Sequence, residues 1–486
     1  MRRTIILLFA LLLPFSALAE SFSLAGLFSD GMVLQRNTVA PVWGWAESGT
    51  VVTVSPSWTK TRYKAKAGDD GRWEVGVNTP EAGGPFTIDF RSGKERQTVR
   101  NVLVGEVWIF SGQSNMEDPV IGYKSQAVEG GLEEVLSASK FADKIHIFNV
   151  KEDTTNVLQR DVATRWEAAS GPSVAAVSAI GWFFARRLHE SLDVPVGIIA
   201  NAWGGSNIEA WMSREALDGA IQGKIPEETL DKIHQRKNGR FPTKIASLWN
   251  GRMAPLAPYK VKGFVWYQGE SNLRHSFYNL MQQGMVTLWR GAWRDDKAEM
   301  PFLFTLIAPY RYENRNKGNG LYDRPLFVEN QLSSLKEIPN SYCACTETIG
   351  DETCIHPARK KPVADQFVLL ALEHFYGQHT GVGSGFPTLK KIVYKDSVAV
   401  LSFETGGVGL GSTGKPEFSG FEIAGADRVY HPAKAALKGR EAVTVSSPEV
   451  PEPVAVRYGW QNYHDGNLAN ALGIPIPCFR TDDWAE

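Results

Sequence analysis
The chain has 486 residues, too many for one hydrophobic core, and its length sets an expectation of about three domains. It carries 52 basic and 53 acidic residues, a net charge of -1, which argues against a nucleic-acid partner because such proteins usually show a basic excess. The 15 Trp and 14 Tyr exceed the needs of a minimal core. Some are expected on a sugar-binding surface, with buried rings as the ordinary alternative.

The first element is a leader. Arg2 and Arg3 precede an apolar run over 5–13 that is too short to span a bilayer. Ala17-Leu18-Ala19 then fits a signal-peptidase site, so the mature chain is expected to begin at Glu20, exported, with no membrane segment. Residues 20–101 read as a β-sandwich module. Short β-branched and aromatic runs such as "APVWGWA", "RWEVGVN" and "PFTIDF" are separated by Gly, Pro and Asp clusters. The pattern then changes. Apolar runs suited to buried parallel strands recur at 102–110, 145–150, 196–201, 263–267, 302–308 and 342–348. Helical periods lie between several of them, among them 174–192 and, after Pro362, 363–376. Strands alternating with helices predict a doubly wound α/β sheet over 102–385. Residues 386–486 turn β again, as in "KIVYKDSVAVLSF" and "PVAVRYGW".

The four cysteines are Cys343, Cys345, Cys354 and Cys478. In an exported chain an even count suits disulfides, with the pairing open. A Cys345–Cys354 bridge would bend the loop carrying His356. The rival reading, a zinc site from Cys343, Cys345, Cys354 and His356, lacks the usual knuckle spacing. No metal or cofactor is expected.

In an open α/β sheet ligands bind beyond the carboxyl ends of the strands, so the residues following each predicted strand matter most. The first strand stops at "SGQSNME", with Ser114. The third is followed by "NAWGGSNIEAW", with Gly204 and Gly205. The fourth is followed by "WYQGESN", with Gln268, and the last by "IGDETCIHP", with Asp351 and His356. Each has an ordinary explanation: a capping serine, a Gly-Gly turn, a capped helix start, a surface histidine. Together at one sheet edge they make a set for acyl transfer. Ser114 is a nucleophile that needs a base, His356 titrates in the right range to be one, and Asp351 would steady the imidazolium. The Ser114 amide, a Gly204 or Gly205 amide and the Gln268 side chain would receive the oxyanion.

These blocks resemble those of the sialate O-acetylesterase family within the SGNH/GDSL hydrolase superfamily. "GQSNME", "WGGSNIEAW", "NGRMAPLAPYKVKGFVWYQGESN" and "IGDETCIHPARKK" carry the likeness. "LFSDGMVLQR" near the start and "PCFRTDDW" at the end extend it over nearly the whole mature chain. The resemblance implies a flavodoxin-like core flanked by β modules, and an esterase that removes O-acetyl groups from sugars. It carries over Ser114 as nucleophile, His356 as base, and the Ser114, Gly204/Gly205 and Gln268 donors as the oxyanion hole. One departure stands out. Many SGNH enzymes place the acid three residues before the histidine, where this chain has Thr353. Asp351, five before, is the expected acid, with Glu352 beside it. A Ser–His dyad oriented by a backbone carbonyl is the alternative.

The expected substrate is O-acetylated sialic acid, with acetylated xylan, xyloglucan or pectin as the alternative. A sialate carboxylate would call for an arginine near the serine, and Arg274 and Arg311 are the candidates. A glycosidase using Asp118 and Glu270, and a non-catalytic carbohydrate-binding protein, are the readings from other classes.

Overall fold
The computed structural model describes residues 22–314, 320–381 and 385–484; the expected leader and its cleavage site lie outside them. Among the described residues, no helix is long and apolar enough to cross a membrane.

The organising element is a single strand, β1 (Glu95–Gly112). Its first half pairs antiparallel with the strand Gly83–Ser92 of the N-terminal β layers. Leu103 to Gly105 pair with Val33–Gln35. Its second half then runs on as the centre of a parallel sheet with no loop between, so the N-terminal layers and the central sheet share one backbone. The other parallel strands are β2 (Ile145–Asn149), β3 (Val196–Ala202), β4 (Gly263–Tyr267), β5 (Phe302–Thr305) and β6 (Ser341–Ala344). Their spatial order is β2-β3-β1-β4-β5-β6, with the short strand Glu167–Ala168 antiparallel at the β2 edge.

Buried parallel strands need apolar residues on both faces, and β1 supplies them by alternation. Trp108 and Phe110 enter the core shared with the helices α2 (Ala179–Leu192) and α5 (Lys361–Phe375). Val107 and Ile109 point the other way, into the core shared with Trp289 of α3 (Tyr278–Ala292) and Val328 of α4 (Asp323–Glu337). Helices therefore cover both faces, the doubly wound arrangement expected from the strand and helix periods. The period over 174–192 is broken, however. Residues Gly171–Ala176 form a separate short helix, and Ser178 restarts the next by accepting from Gly181 N at 3.1 Å, a serine cap inside an apolar run.

Beyond α5 the chain forms further β-sheets around Leu401, Phe403, Val443, Ile423 and Tyr458. A buried polar knot ties them to the central sheet. Glu347, just after β6, accepts from Arg324 Nη2 at 2.7 Å, from Cys478 N at 3.0 Å and from His464 Nε2 at 2.7 Å. Burial alone would raise the Glu347 pKa, but Arg324 and His464 outweigh it and hold the carboxyl at about 2. A depressed carboxyl pKa stabilises the fold above the unfolded-state value and loses that contribution as pH falls through the folded one. The knot's contribution should therefore be intact above about pH 4.5 and disappear between there and about pH 2. Glu347→Gln leaves Arg324 as an uncompensated buried charge, so it should cost about 3–5 kcal/mol at neutral pH. Urea unfolding between pH 7 and pH 3 measures both effects.

All four cysteines are free thiols, Cys343, Cys345 and Cys478 buried and Cys354 partly so. No Cys345–Cys354 bridge shapes the histidine loop. Among the described residues no cluster of three metal-ligating side chains gathers, at these cysteines or elsewhere.

Candidate active site
The carboxyl end of β1 lies between those of β3 and β4, where connections leave in opposite directions and open sheets form their crevices. The chain squeezes through at Gly112. Its φ is +140°, and a Cβ there would lie 2.1 Å from Tyr267 O, so only glycine passes. Gln113 N then donates to Tyr267 O at 2.9 Å and Trp203 N to Gly112 O at 2.9 Å, stitching the three strand ends together. Ser114 opens a single helical turn, α1 (Ser114–Glu117), whose N-cap Gln113 makes no side-chain cap. An amide at this first position has no acceptor within its own helix. Ser114 is partly exposed.

Asn115 brings the distant histidine to this turn. Its Nδ2 donates to Ile355 O at 3.1 Å and to Glu270 Oε1 at 2.6 Å, while its Oδ1 accepts from Lys360 Nζ at 2.7 Å. Lys360 also pairs with Asp118 at 3.1 Å, both almost fully buried. Burial pushes the Lys360 ammonium down and the Asp118 carboxyl up, each partly offset by the other. The neighbours of Ser114 and His356 are thus bonded directly. Tyr123 completes the bracket. Its hydroxyl shares one hydrogen between Ser114 O at 3.1 Å and Glu117 Oε2 at 3.0 Å, and its ring lies 5.0 Å from the His356 ring. Among the described residues Ser114 Oγ makes no hydrogen bond, and catalytic hydrogen bonds often tighten only when substrate is bound.

Three expected roles meet a different geometry. Gln268 is fully buried, and its Nε2 already donates to Gln113 Oε1, Ser206 O and Asn272 Oδ1 at 3.1, 3.1 and 2.7 Å. Its Oε1 accepts from Tyr278 at 2.8 Å. Both hydrogens of this amide are thus claimed within the loops by three acceptors. Gln268 braces the β4 loop. Gln268→Ala should lower stability by about 1–3 kcal/mol through the polar partners it strands, and thermal denaturation reads that loss.

Gly204 N donates to Glu117 Oε2 at 2.8 Å, so this amide is engaged. A Cβ at Gly204 would meet that carboxylate at 2.7 Å and Ser114 Cβ at 3.6 Å, which shows how close the second loop comes. Burial raises the Glu117 pKa, partly offset by the bonds from Tyr123 and Gly204. Gly205, at φ +69°, lies against the Phe241 ring; no bond engages its amide among the described residues.

Asp351 faces its own loop. Its Oδ1 accepts from Thr353 N, Thr353 Oγ1 and Cys354 N at 2.7, 2.9 and 2.8 Å, an Asx turn. The first of these bonds leads in lowering its pKa. The imidazole Nδ1 is held by Gln126 Oε1 at 2.7 Å, where a triad acid would sit. Asn can keep the turn, so Asp351→Asn should change kcat by no more than about threefold, against roughly 10⁴ for a triad acid; steady-state acetate release measures it.

The carboxylates suggested for a glycosidase do not flank a cleft: Asp118 is buried on Lys360, and Glu270 bonds the same Asn115. Arg274 is 3.5 Å from Asp323, and Arg311 pairs with Glu352. Sequence reading missed Asn115, Glu117, Tyr123, Gln126 and Lys360. The first two sit inside the serine block, where their polarity was the available signal; Tyr123 and Gln126 carry no motif.

The profile of a family described as carbohydrate esterase, sialic acid-specific acetylesterase matches residues 104–356, just over half the chain, from within β1 to the histidine. The sialate O-acetylesterase of Homo sapiens is 28% identical over 392 residues, covering 74% of this chain and 72% of that protein. That of Mus musculus is 27% identical over 436 residues, 78% of each. The crystal structure of a carbohydrate acetylesterase from Xanthomonas citri is 35% identical with a TM-score of 0.82, covering 95% of this chain and 100% of that one.

Proposed function
The chain belongs to the sialic acid-specific acetylesterase family of carbohydrate esterases, and from that premise we propose that it releases acetate from O-acetylated sialic acid through Ser114 and His356. It is a carboxylic ester hydrolase with an SGNH-type α/β core. The observation that supports the residue assignment is the Asn115 clasp to Ile355 O and Glu270, a bond between the residue after Ser114 and the residue before His356.

In this reading Ser114 Oγ attacks the acetyl carbonyl carbon, and its proton passes to His356 Nε2. Negative charge collects on the carbonyl oxygen, where the Ser114 and Gly205 amides would receive it. The sugar oxygen leaves with the proton held by His356. Water, deprotonated by the same imidazole, then attacks the acetyl-enzyme carbonyl; the bond to Ser114 Oγ breaks as His356 returns the proton to that oxygen, and acetate departs. No metal or cofactor enters these steps.

Sialic acid as the sugar is supported by the names of the family and of the mammalian relatives. The two arginines expected near its carboxylate are held by Asp323 and Glu352. Exposed Arg240 serves better: its guanidinium lies 5.2 Å from the centre of the Phe241 ring, which abuts Gly205. Action outside the cytoplasm is supported by the leader pattern at 1–19. The test is acetate release from 9-O-acetylated sialic acid, acetylated xylan, xyloglucan and pectin under one set of conditions. The expected result is the highest kcat/KM on the sialate. A higher value on any plant polysaccharide would move the enzyme to that substrate class.

A further inference from the structure
We propose that Gln126, a neutral amide, takes the place of the triad acid and is the positioning residue for His356; this rests on the Ser114/His356 reading above. Gln126 Oε1 lies 2.7 Å from His356 Nδ1. A side-chain carbonyl oxygen can only accept a hydrogen bond. With the amide oxygen turned to the ring, the proton of the neutral imidazole belongs on Nδ1 and the basic lone pair on Nε2, the tautomer needed to take a proton from serine.

The fold builds this contact deliberately. Gln126 closes a tight turn in which Gln126 N donates to Tyr123 O at 2.9 Å. Gly122 at φ +76° and Ser125 at φ +64° make the turn, and a Cβ on Gly122 would lie 2.1 Å from Gln126 O. The turn is bolted to the nucleophile through the Tyr123 hydroxyl on Ser114 O. The Tyr123 ring packs at a tilt beside the imidazole, while Gln126 takes the ring nitrogen. The carboxylate that sequence assigns to this task is committed to its own loop by three hydrogen bonds.

A neutral acceptor differs from a carboxylate in one measurable respect. It fixes the tautomer but adds no negative charge to favour the imidazolium. Installing a carboxylate at 126 should raise the histidine pKa, so the acid limb of the kcat/KM profile should move to higher pH. Among the described residues, charged and titratable groups near the ring include Tyr123 and Glu117 on the nucleophile side, Asp351 and Cys354 in its own loop, and Lys360, Asp118 and Glu270 around Asn115. None of them changes in the substitution.

The experiment compares the full chain with Gln126→Ala and Gln126→Glu, each checked for its thermal transition, across pH 4–9 in acetate release. Gln126→Ala should lower kcat by about 10- to 100-fold, less than the roughly 10⁴ of a lost triad carboxylate. Gln126→Glu should recover most of that rate and shift the acid limb upward by about one pH unit. A Gln126→Ala rate within about threefold of wild type, or a Gln126→Glu acid limb that superimposes on wild type, overturns the proposal. Should Gln126→Ala fail to fold, the Gln126→Glu profile decides alone. Ser114→Ala and His356→Ala are assayed beside them. If both are inactive while the Gln126 variants behave as wild type, only the Gln126 role falls. If His356→Ala stays active, the base assignment falls and the Gln126 role with it.

Discussion
Ser114→Ala should reduce acetate release on the order of 10⁴- to 10⁶-fold, the scale at which a covalent nucleophile is lost, while leaving the fold unchanged. The second half of that expectation comes from the local structure. The Ser114 side chain is partly exposed, its hydroxyl makes no hydrogen bond among the described residues, and it opens a helical turn that alanine favours at least as well. Urea denaturation of the variant should overlay on wild type. An activity loss accompanied by a large stability loss would instead mean that the turn, not the hydroxyl, had been damaged.

His356→Ala should be as slow as Ser114→Ala, and the double variant no slower than either, because nucleophile and base act as a unit. The residual rate of His356→Ala should climb with pH, since hydroxide must then do the work of the imidazole. The ring is held by Gln126 and packed beside Tyr123, but the loop's clasp to α1 runs through the backbone of Ile355 and the side chain of Lys360. Removing the ring therefore leaves that clasp in place. A multiplicative loss in the double variant would show two independent contributions and break the acyl-transfer account.

Some of this site was legible in the sequence, for physical reasons. Buried parallel strands must be apolar on both faces, so the strands stood out as unbroken runs, and their polar ends marked the crevice. Ser114 and His356 stand out as candidates there because each follows such a run. What could not be read was the allocation of individual hydrogen bonds. "WYQGES" puts Gln268 at the right edge, but its amide is claimed by Gln113, Asn272 and Ser206, residues gathered from three loops. Gln126 meets His356 across 230 positions from a turn with no period and no motif. Asp351 is an instructive case. Asp followed two residues later by Thr is a local turn signal, and the structure shows that local use. The break before α2 belongs to the same class: a continuous apolar period concealed a capping serine.

The central claim is that sugar deacetylation runs through Ser114. The most direct measurement is to inactivate the enzyme stepwise with a fluorophosphonate and map the modified peptide by mass spectrometry, following acetate release from 9-O-acetylated sialic acid in the same samples. The expected result is one adduct, on Ser114, with activity falling in proportion to its occupancy and no labelling of Ser114→Ala. Complete modification of Ser114 with deacetylation intact, or complete inactivation with Ser114 unmodified, would contradict it.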